Sequence, residues 1–282
     1  MLMPALVVVL GAIGYPLLRT LYLSFTDARL VGLAAPNWLW LENYWKALTD
    51  AAFQASALRT AHFVLVNIGL EIVVGVLVAI LLNQSFRGRD AVRALLIIPL
   101  ALPTVVNAIM WRWIYNPEFG AFNALLTQTG LISSYQSWLG DPSLAMNMII
   151  IADAWKNYPI VALVALSALQ LIPKEVYEAA AMDGANAWTR FWRITLPSIV
   201  PALTVVIVLR TIEAVKVFDI IYVMTRGGPA DSTRTLSFEV YQEAFSSLRA
   251  GSGAAYAYIV VLISAVLISL YLRLLRSQGR GA

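Results

Sequence analysis

The sequence predicts an all-α membrane protein of six transmembrane helices, and three observations carry that prediction. Of its 282 residues, 60% are hydrophobic and only 13% are charged, against about a quarter charged in soluble domains. Six apolar stretches, at 2–25, 58–82, 94–115, 144–172, 197–224 and 255–275, each supply the roughly 20 residues needed to cross a ~30 Å hydrocarbon core. The loops between them also sort by charge. Arg87, Arg89, Arg93, Lys174, Arg190, Arg193, Arg273, Arg276 and Arg280 fall on one side. The opposite loops are longer and hold chiefly Arg29, Lys46, Arg226, Arg234 and Arg249. The positive-inside rule makes the first set cytoplasmic, and an even number of spans places the N- and C-termini there too. No internal repeat is evident, and residues 1–282 read as a single domain.

In chain order, the stretch 2–25 is too long for a signal-peptide core and has no small-residue cleavage site, so it is expected to be retained. Trp38, Trp40, Tyr44 and Trp45 suit an interface belt in the first outer loop. The second span carries Glu71, which helix packing explains as well as transport does. Pro99 and Pro103 break the third span, a feature that membrane bundles tolerate by re-satisfying the freed carbonyls. Residues 116–143 form a loop of turn formers without Lys or Arg.

Between the fourth and fifth spans lies residues 173–196, an elbow. Pro173 suits a first helical turn, Lys174 to Met182 can be helical, and Gly184 can end that helix in a left-handed conformation. Asn186 can cap a second short helix on which Trp188, Phe191 and Trp192 share a face. On spacing alone the elbow is an amphipathic loop on a membrane surface, with small alanines on one arm and aromatics on the other, suited to anchoring it to the parent helices.

Charges also stand where lipid is expected: Asp153 and Lys156 in the fourth span, and Arg210, Glu213, Lys216 and Asp219 in the fifth. Each costs at least ~2.5–3.5 kcal/mol near the bilayer centre, so they should face protein or water. Arg210–Glu213 and Lys216–Asp219 are spaced to pair at i, i+3. Asp153, Asn157 and Ile160 form one helical stripe, and Arg210, Glu213, Ala214 and Val217 form another. Pairing and lining a pathway are compatible.

Several classes are excluded. The net charge of +4 sits mainly on one side of the membrane and needs no nucleic-acid partner. With no cysteine and one histidine, His62, there is neither a disulfide framework nor a metal site, and His62 reads as a polar residue near a helix end. No nucleophile–base constellation indicates a catalytic residue. No stretch reads G-x-x-x-x-G-K-[ST], so the chain cannot hydrolyse ATP alone.

Glu178-Ala179-Ala180, Asp183-Gly184-Ala185 and Ile194-x-Leu196-Pro197 resemble the EAA loop of ATP-binding-cassette (ABC) importer permeases. Residues 218–225, Gly227-Gly228-Pro229, Thr235-Leu236 and residues 241–245 are similar to the first of the two permeases of maltose- and glycerol-phosphate-type importers. Ile98-Pro99, Trp111, Trp113, Trp155 and Pro159 fit as well. The family's short basic tail before the first helix is missing, which reads as a trimmed or late start.

The resemblance implies a type I ABC importer permease fold with a cytoplasmic coupling helix. Glu178, Ala179, Ala180, Asp183, Gly184 and Ala185 would dock into the ATPase. It implies a second, different permease, two cytoplasmic ATPase subunits that hold ATP and Mg, and an extracytoplasmic solute-binding protein. The chain itself would bind no cofactor. It would lie in a bacterial or archaeal cytoplasmic membrane, in contact with lipid, and pass a sugar along the two charged stripes. A phosphorylated polyol remains open through Arg210 and Lys216. So does proton-coupled secondary transport, with Asp153, Glu213 or Asp219 as carrier.

Overall fold

The computed structural model describes residues 10–32 and 35–278. Among them the chain forms helices and loops, with one isolated bridge between Thr26 and Trp38 and no strand. A π-helical turn, Leu10–Gly14, leads into α1 (Tyr15–Ser24), followed after a loop by α2 (Glu42–Thr49). Asp50 caps α3 (Ala51–Asn83), accepting from the Ala52 and Phe53 N–H groups at 2.6 and 3.1 Å. Gly88, at φ +92°, admits α4 (Arg89–Ala101). The chain bends by 100° between α4 and α5 (Thr104–Ile114). Leu102 precedes Pro103 and is held out of the helical region, at ψ 132°. There follow α6 (Ala121–Gln128), α7 (Ala145–Gln170), α8 (Lys174–Met182) and α9 (Ala187–Val215), the last containing a π-helical turn, Phe191–Thr195. Short helices α10 (Asp219–Met224) and α11 (Leu236–Tyr241) precede α12 (Ala250–Gln278).

Among the described residues, α3, α7, α9 and α12 are long and apolar enough to cross a membrane, and the bent α4–α5 pair makes a fifth candidate. The expected first span lies partly outside the described residues; its described part is the π-helical turn and α1. The expected fifth span, 197–224, differs at both ends. Its helix begins at Ala187, within the elbow, and stops at Val215. Side chains from the following segment take over where the helix breaks. The Val217 carbonyl accepts from Thr235 Oγ1 at 3.1 Å, and the Phe218 ring lies 5.1 Å from Tyr241 and 6.1 Å from Phe238.

The chain divides into two compact units. The first holds the described residues up to Ala61 with Val215–Phe218 and Arg234–Leu267. The end of its α1 is pinned by buried Asn43, whose Nδ2 donates to the Ser24 and Thr26 carbonyls at 2.9 and 2.8 Å. Thr60 Oγ1 accepts from the first N–H of α11 at 2.9 Å, and Ser56 donates to Glu239 at 3.0 Å. Asp27 accepts from the Asn37 side chain and backbone, which holds its carboxyl below the usual range. A polar cavity of about 670 Å³ opens here beside Asn43, Asp50, Glu243, Arg249 and Tyr256.

The second unit holds His62–Ala214, Asp219–Thr233 and the described residues from Ile268. Its apolar core joins Val76 and Leu82 of α3, Leu96 of α4, Val161 and Leu166 of α7, and Leu203 of α9. The loop 116–143 is helical in part, as α6, and is organised by fully buried Asn123. That side chain donates to the Gln136 carbonyl at 2.9 Å and accepts from Trp138 Nε1 at 2.8 Å. His62 lies well inside α3, not near its end, and pairs with Asn147 at 3.0 Å.

Gly75 fixes the approach of α3 to α7. A Cβ there would lie 2.7 Å from Val161 Cβ and 3.1 Å from the Ala162 nitrogen, the close packing that small residues allow between membrane helices. Gly75→Val is therefore expected to destabilise the fold by ~1–3 kcal/mol. A lower apparent melting temperature in detergent, read by tryptophan fluorescence, checks this; an unchanged one would mean the two helices can part at no cost.

Candidate functional site

Three helices bring their polar residues to one point inside the second unit. From α3 come Asn67 and Glu71, one turn apart; from α7 comes Asp153; from α9 come Arg210 and Glu213. Arg210 forks onto Glu71, with Nε 2.9 Å from Oε2 and Nη2 2.7 Å from Oε1. Such bidentate pairing is the stronger kind of charge-assisted bond. The same Nη2 reaches Asp153 Oδ2 at 3.4 Å, and Nη1 pairs with Glu213. Asn67 Nδ2 bridges the two acids, 3.0 Å from Glu71 Oε1 and 2.9 Å from Asp153 Oδ2. Asn67 and Glu71 are fully buried, and Arg210 and Asp153 are nearly so. Glu213 differs, with 63% of its side chain exposed. The cluster thus offers one carboxylate outward and holds the others inside.

Of the two stripes expected from the sequence, the structure assembles only part. Arg210 and Glu213 do pair. Asp153 joins them, whereas buried Asn157 donates to the Asp153 backbone carbonyl at 3.0 Å. Ile160 packs against the apolar core, and Ala214 is buried. Val217 lies beyond the end of α9, so it does not continue the Arg210–Glu213–Ala214 stripe. For the same reason Lys216 and Asp219 do not share a helical turn. Lys156 instead donates to Thr104 Oγ1 at 2.8 Å, across the bend at Pro103.

Glu71, which the sequence left between packing and transport, is the main partner of Arg210. Asn67 escaped notice, although an Asn and a Glu at i, i+4 in an otherwise apolar span were the available signal.

The elbow forms as its residues dictate. Gly184, at φ +81°, closes α8. The Ala185 N–H bonds to the Ala180 carbonyl at 2.9 Å and the Gly184 N–H to the Ala181 carbonyl at 3.1 Å, the paired bonds of a Schellman motif. Asn186 Oδ1 then accepts from the Thr189 N–H at 2.8 Å and caps the second arm. Tyr177 and Thr195 hydroxyls, 3.0 Å apart, tie the arms together.

No residue of α8 is buried. Glu178, Ala179, Asp183 and Gly184 are exposed, and Ala180 and Ala185 are half-buried. Met182 is 89% exposed. Of the aromatics on the second arm only Phe191 packs against the core; Trp188 and Trp192 stay exposed, so they do not anchor the arm as their spacing implied. The result is an exposed elbow with small residues at its turn, formed by α8 on one side and the first turns of α9 on the other. It is joined through Leu171–Pro173 to α7.

Three kinds of comparison bear on this arrangement. Residues 71–280 match the model of a family described as the binding-protein-dependent transport system inner membrane component. The trehalose/maltose transport system permease protein MalF of Thermococcus litoralis is 40% identical over 237 residues, covering 84% of this chain and 79% of that one. The sulfoquinovosyl glycerol transport system permease protein SmoG of Agrobacterium fabrum is 34% identical over 278 residues, covering 99% and 90%. A chain from the crystal structure of a bacterial ABC transporter involved in the import of the acidic polysaccharide alginate superposes with a TM-score of 0.84. It is 22% identical, with 98% of this chain and 94% of that one covered. The fold is that of a type I ABC importer permease.

Proposed function

This chain belongs to the family of binding-protein-dependent transport system inner membrane components, and on that premise we propose how it works. It is the permease subunit of an ATP-driven importer and forms half of the path for a sugar or oligosaccharide. A solute-binding protein delivers the cargo outside. A second permease completes the path, and two cytoplasmic ATPase subunits hold ATP and Mg; this chain carries out no hydrolysis itself. The observation that carries the reading is the elbow, a preformed pair of helices presented outward and continuous with both α7 and α9. Movement of the elbow must pass into the two helices that carry Asp153, Arg210 and Glu213.

A neutral, hydroxyl-rich cargo fits the path better than an anion. Arg210 is engaged by Glu71, Asp153 and Glu213, and Lys156 by Thr104. Glu213 presents an acceptor for sugar hydroxyls. Exposed Lys216 is the feature of this site that favours a phosphorylated polyol.

Maltose and trehalose are the first cargoes to try, since the 40%-identical relative is named for them. The complex in proteoliposomes, with its binding protein outside and ATP within, should accumulate the disaccharide. A protonophore should leave uptake intact, and excess glycerol phosphate should not compete. Uptake that needs a proton gradient and ignores ATP would sink the reading.

Orientation has its own test, because the chain has no native cysteine. Ser134→Cys is expected to react with an impermeant thiol reagent in intact cells, and Ser85→Cys only after the membrane is opened. The reverse pattern would overturn the proposed topology.

A further inference from the structure

The start of α4 holds two arginines in an arrangement that the other described residues do not complete. Arg89 and Arg93 lie at i, i+4, so like charges share one helix face, and they sit at the helix N-terminus, where the backbone dipole disfavours cations. Both point to a single neutral acceptor. With the Gln170 amide turned to present its oxygen, that oxygen accepts from Arg89 Nη2 at 3.2 Å and Arg93 Nη2 at 2.9 Å. The nearby carboxylate, Asp90, is 96% exposed and 3.7 Å from Arg93 Nη1. Arg89 Nε and Arg93 Nε are buried and without a partner. Beside Arg89 an open groove of about 500 Å³ runs past Ser85, Arg87 and Asp90. Two convergent guanidinium groups with orphaned donors and no buried counter-charge make a site for a tetrahedral, multiply accepting anion.

We propose that Arg89 and Arg93 bind the phosphate of an anionic phospholipid in the cytoplasmic leaflet and so clamp the start of α4 to Gln170 at the end of α7. The lipid is favoured over free phosphate because the site lies where the 84–93 loop enters an apolar helix, at headgroup depth. Gln170 stands three residues before Pro173 and the elbow, so an occupied site would steady the root of the coupling helix. The inference rests on the proposed cytoplasmic placement of this loop. The Ser85→Cys labelling checks that placement separately, so the two can fail independently.

Native mass spectrometry of the purified complex, extracted from membranes of mixed phosphatidylglycerol and phosphatidylcholine, tests the site. The parent is expected to keep one phosphatidylglycerol under activation that strips other lipids. Arg89→Gln with Arg93→Gln should lower that population at least about tenfold. Arg190→Gln with Arg193→Gln, the same loss of charge elsewhere, should not. Equal retention by the parent and the Arg89/Arg93 variant overturns the proposal, as does equal retention of phosphatidylcholine. Displacement of the lipid by millimolar inorganic phosphate would assign the site to the free ion and overturn the lipid. A variant that keeps its lipid but loses a co-purifying ATPase subunit would mean that the arginines dock protein. A second measurement needs no variant: phenylglyoxal labelling of Arg89 and Arg93 should fall about tenfold in phosphatidylglycerol nanodiscs relative to phosphatidylcholine ones. Equal labelling overturns the site.

Discussion

Arg210→Met is expected to abolish accumulation of the assembled complex. Among the described residues the guanidinium is the only cation that contacts buried Glu71, and it also reaches Asp153. Removing one partner of a buried ion pair costs about 3–5 kcal/mol, because the other charge remains out of water. Here two buried acids would be stranded, bridged only by Asn67. The physical reading predicts its own rescue. Glu71→Gln with Asp153→Asn, added to Arg210→Met, removes all the buried charge while keeping shape, and should restore much of the folded yield on gel filtration. Without rescue, Arg210 would matter for some reason other than neutralising those acids. Glu213→Gln should behave differently. Its side chain is largely exposed, so assembly should survive and uptake should fall.

Gly184→Leu is expected to leave the complex assembled yet uncouple it. Nothing lies within 4 Å of the position a Cβ would take, so the substitution meets no internal clash. Its cost is the left-handed backbone at φ +81°, roughly 1 kcal/mol or more for a residue with a Cβ, together with bulk on the outward face. The paired bonds from Gly184 and Ala185 would loosen and the angle between the arms would drift. ATP hydrolysis stimulated by loaded binding protein should be lost, while basal hydrolysis and binding of cargo by the outer partner remain. Gly184→Ala should show a weaker form of the same defect. Full transport by the leucine variant would reduce the elbow to a surface loop.

The elbow was legible in the sequence because every device that builds it is local. A proline opens α8, a glycine closes it, and an asparagine caps the next arm, each acting within about four residues of its position. Four of the long apolar spans were legible as hydrophobic runs, as was the bend at Pro103, whereas Pro99, expected to break the third span too, stays inside α4. The ion cluster was only half legible. Spacing along one helix revealed Arg210–Glu213, but the stronger partner of Arg210 is Glu71, 139 residues away, and no periodicity within a span encodes that pairing. The end of α9 was also hidden. Nothing between Val215 and Phe218 breaks a helix by propensity; partners from a later segment, Thr235, Phe238 and Tyr241, hold the break open. Tertiary partners decided these features.

The central claim, that the elbow carries ATP-driven motion into α7 and α9, is tested most directly by cross-linking from Ala179. This position is exposed on α8, and no native cysteine competes with it. In the assembled complex, Ala179→Cys bearing a short photoreactive thiol reagent should link to an ATPase subunit, with a yield that changes between nucleotide-free and ATP-bound states. Ser134→Cys, treated in the same way, should not. If Ala179→Cys links only to lipid, or links to the ATPase with a yield indifferent to nucleotide, the elbow is not the coupling element.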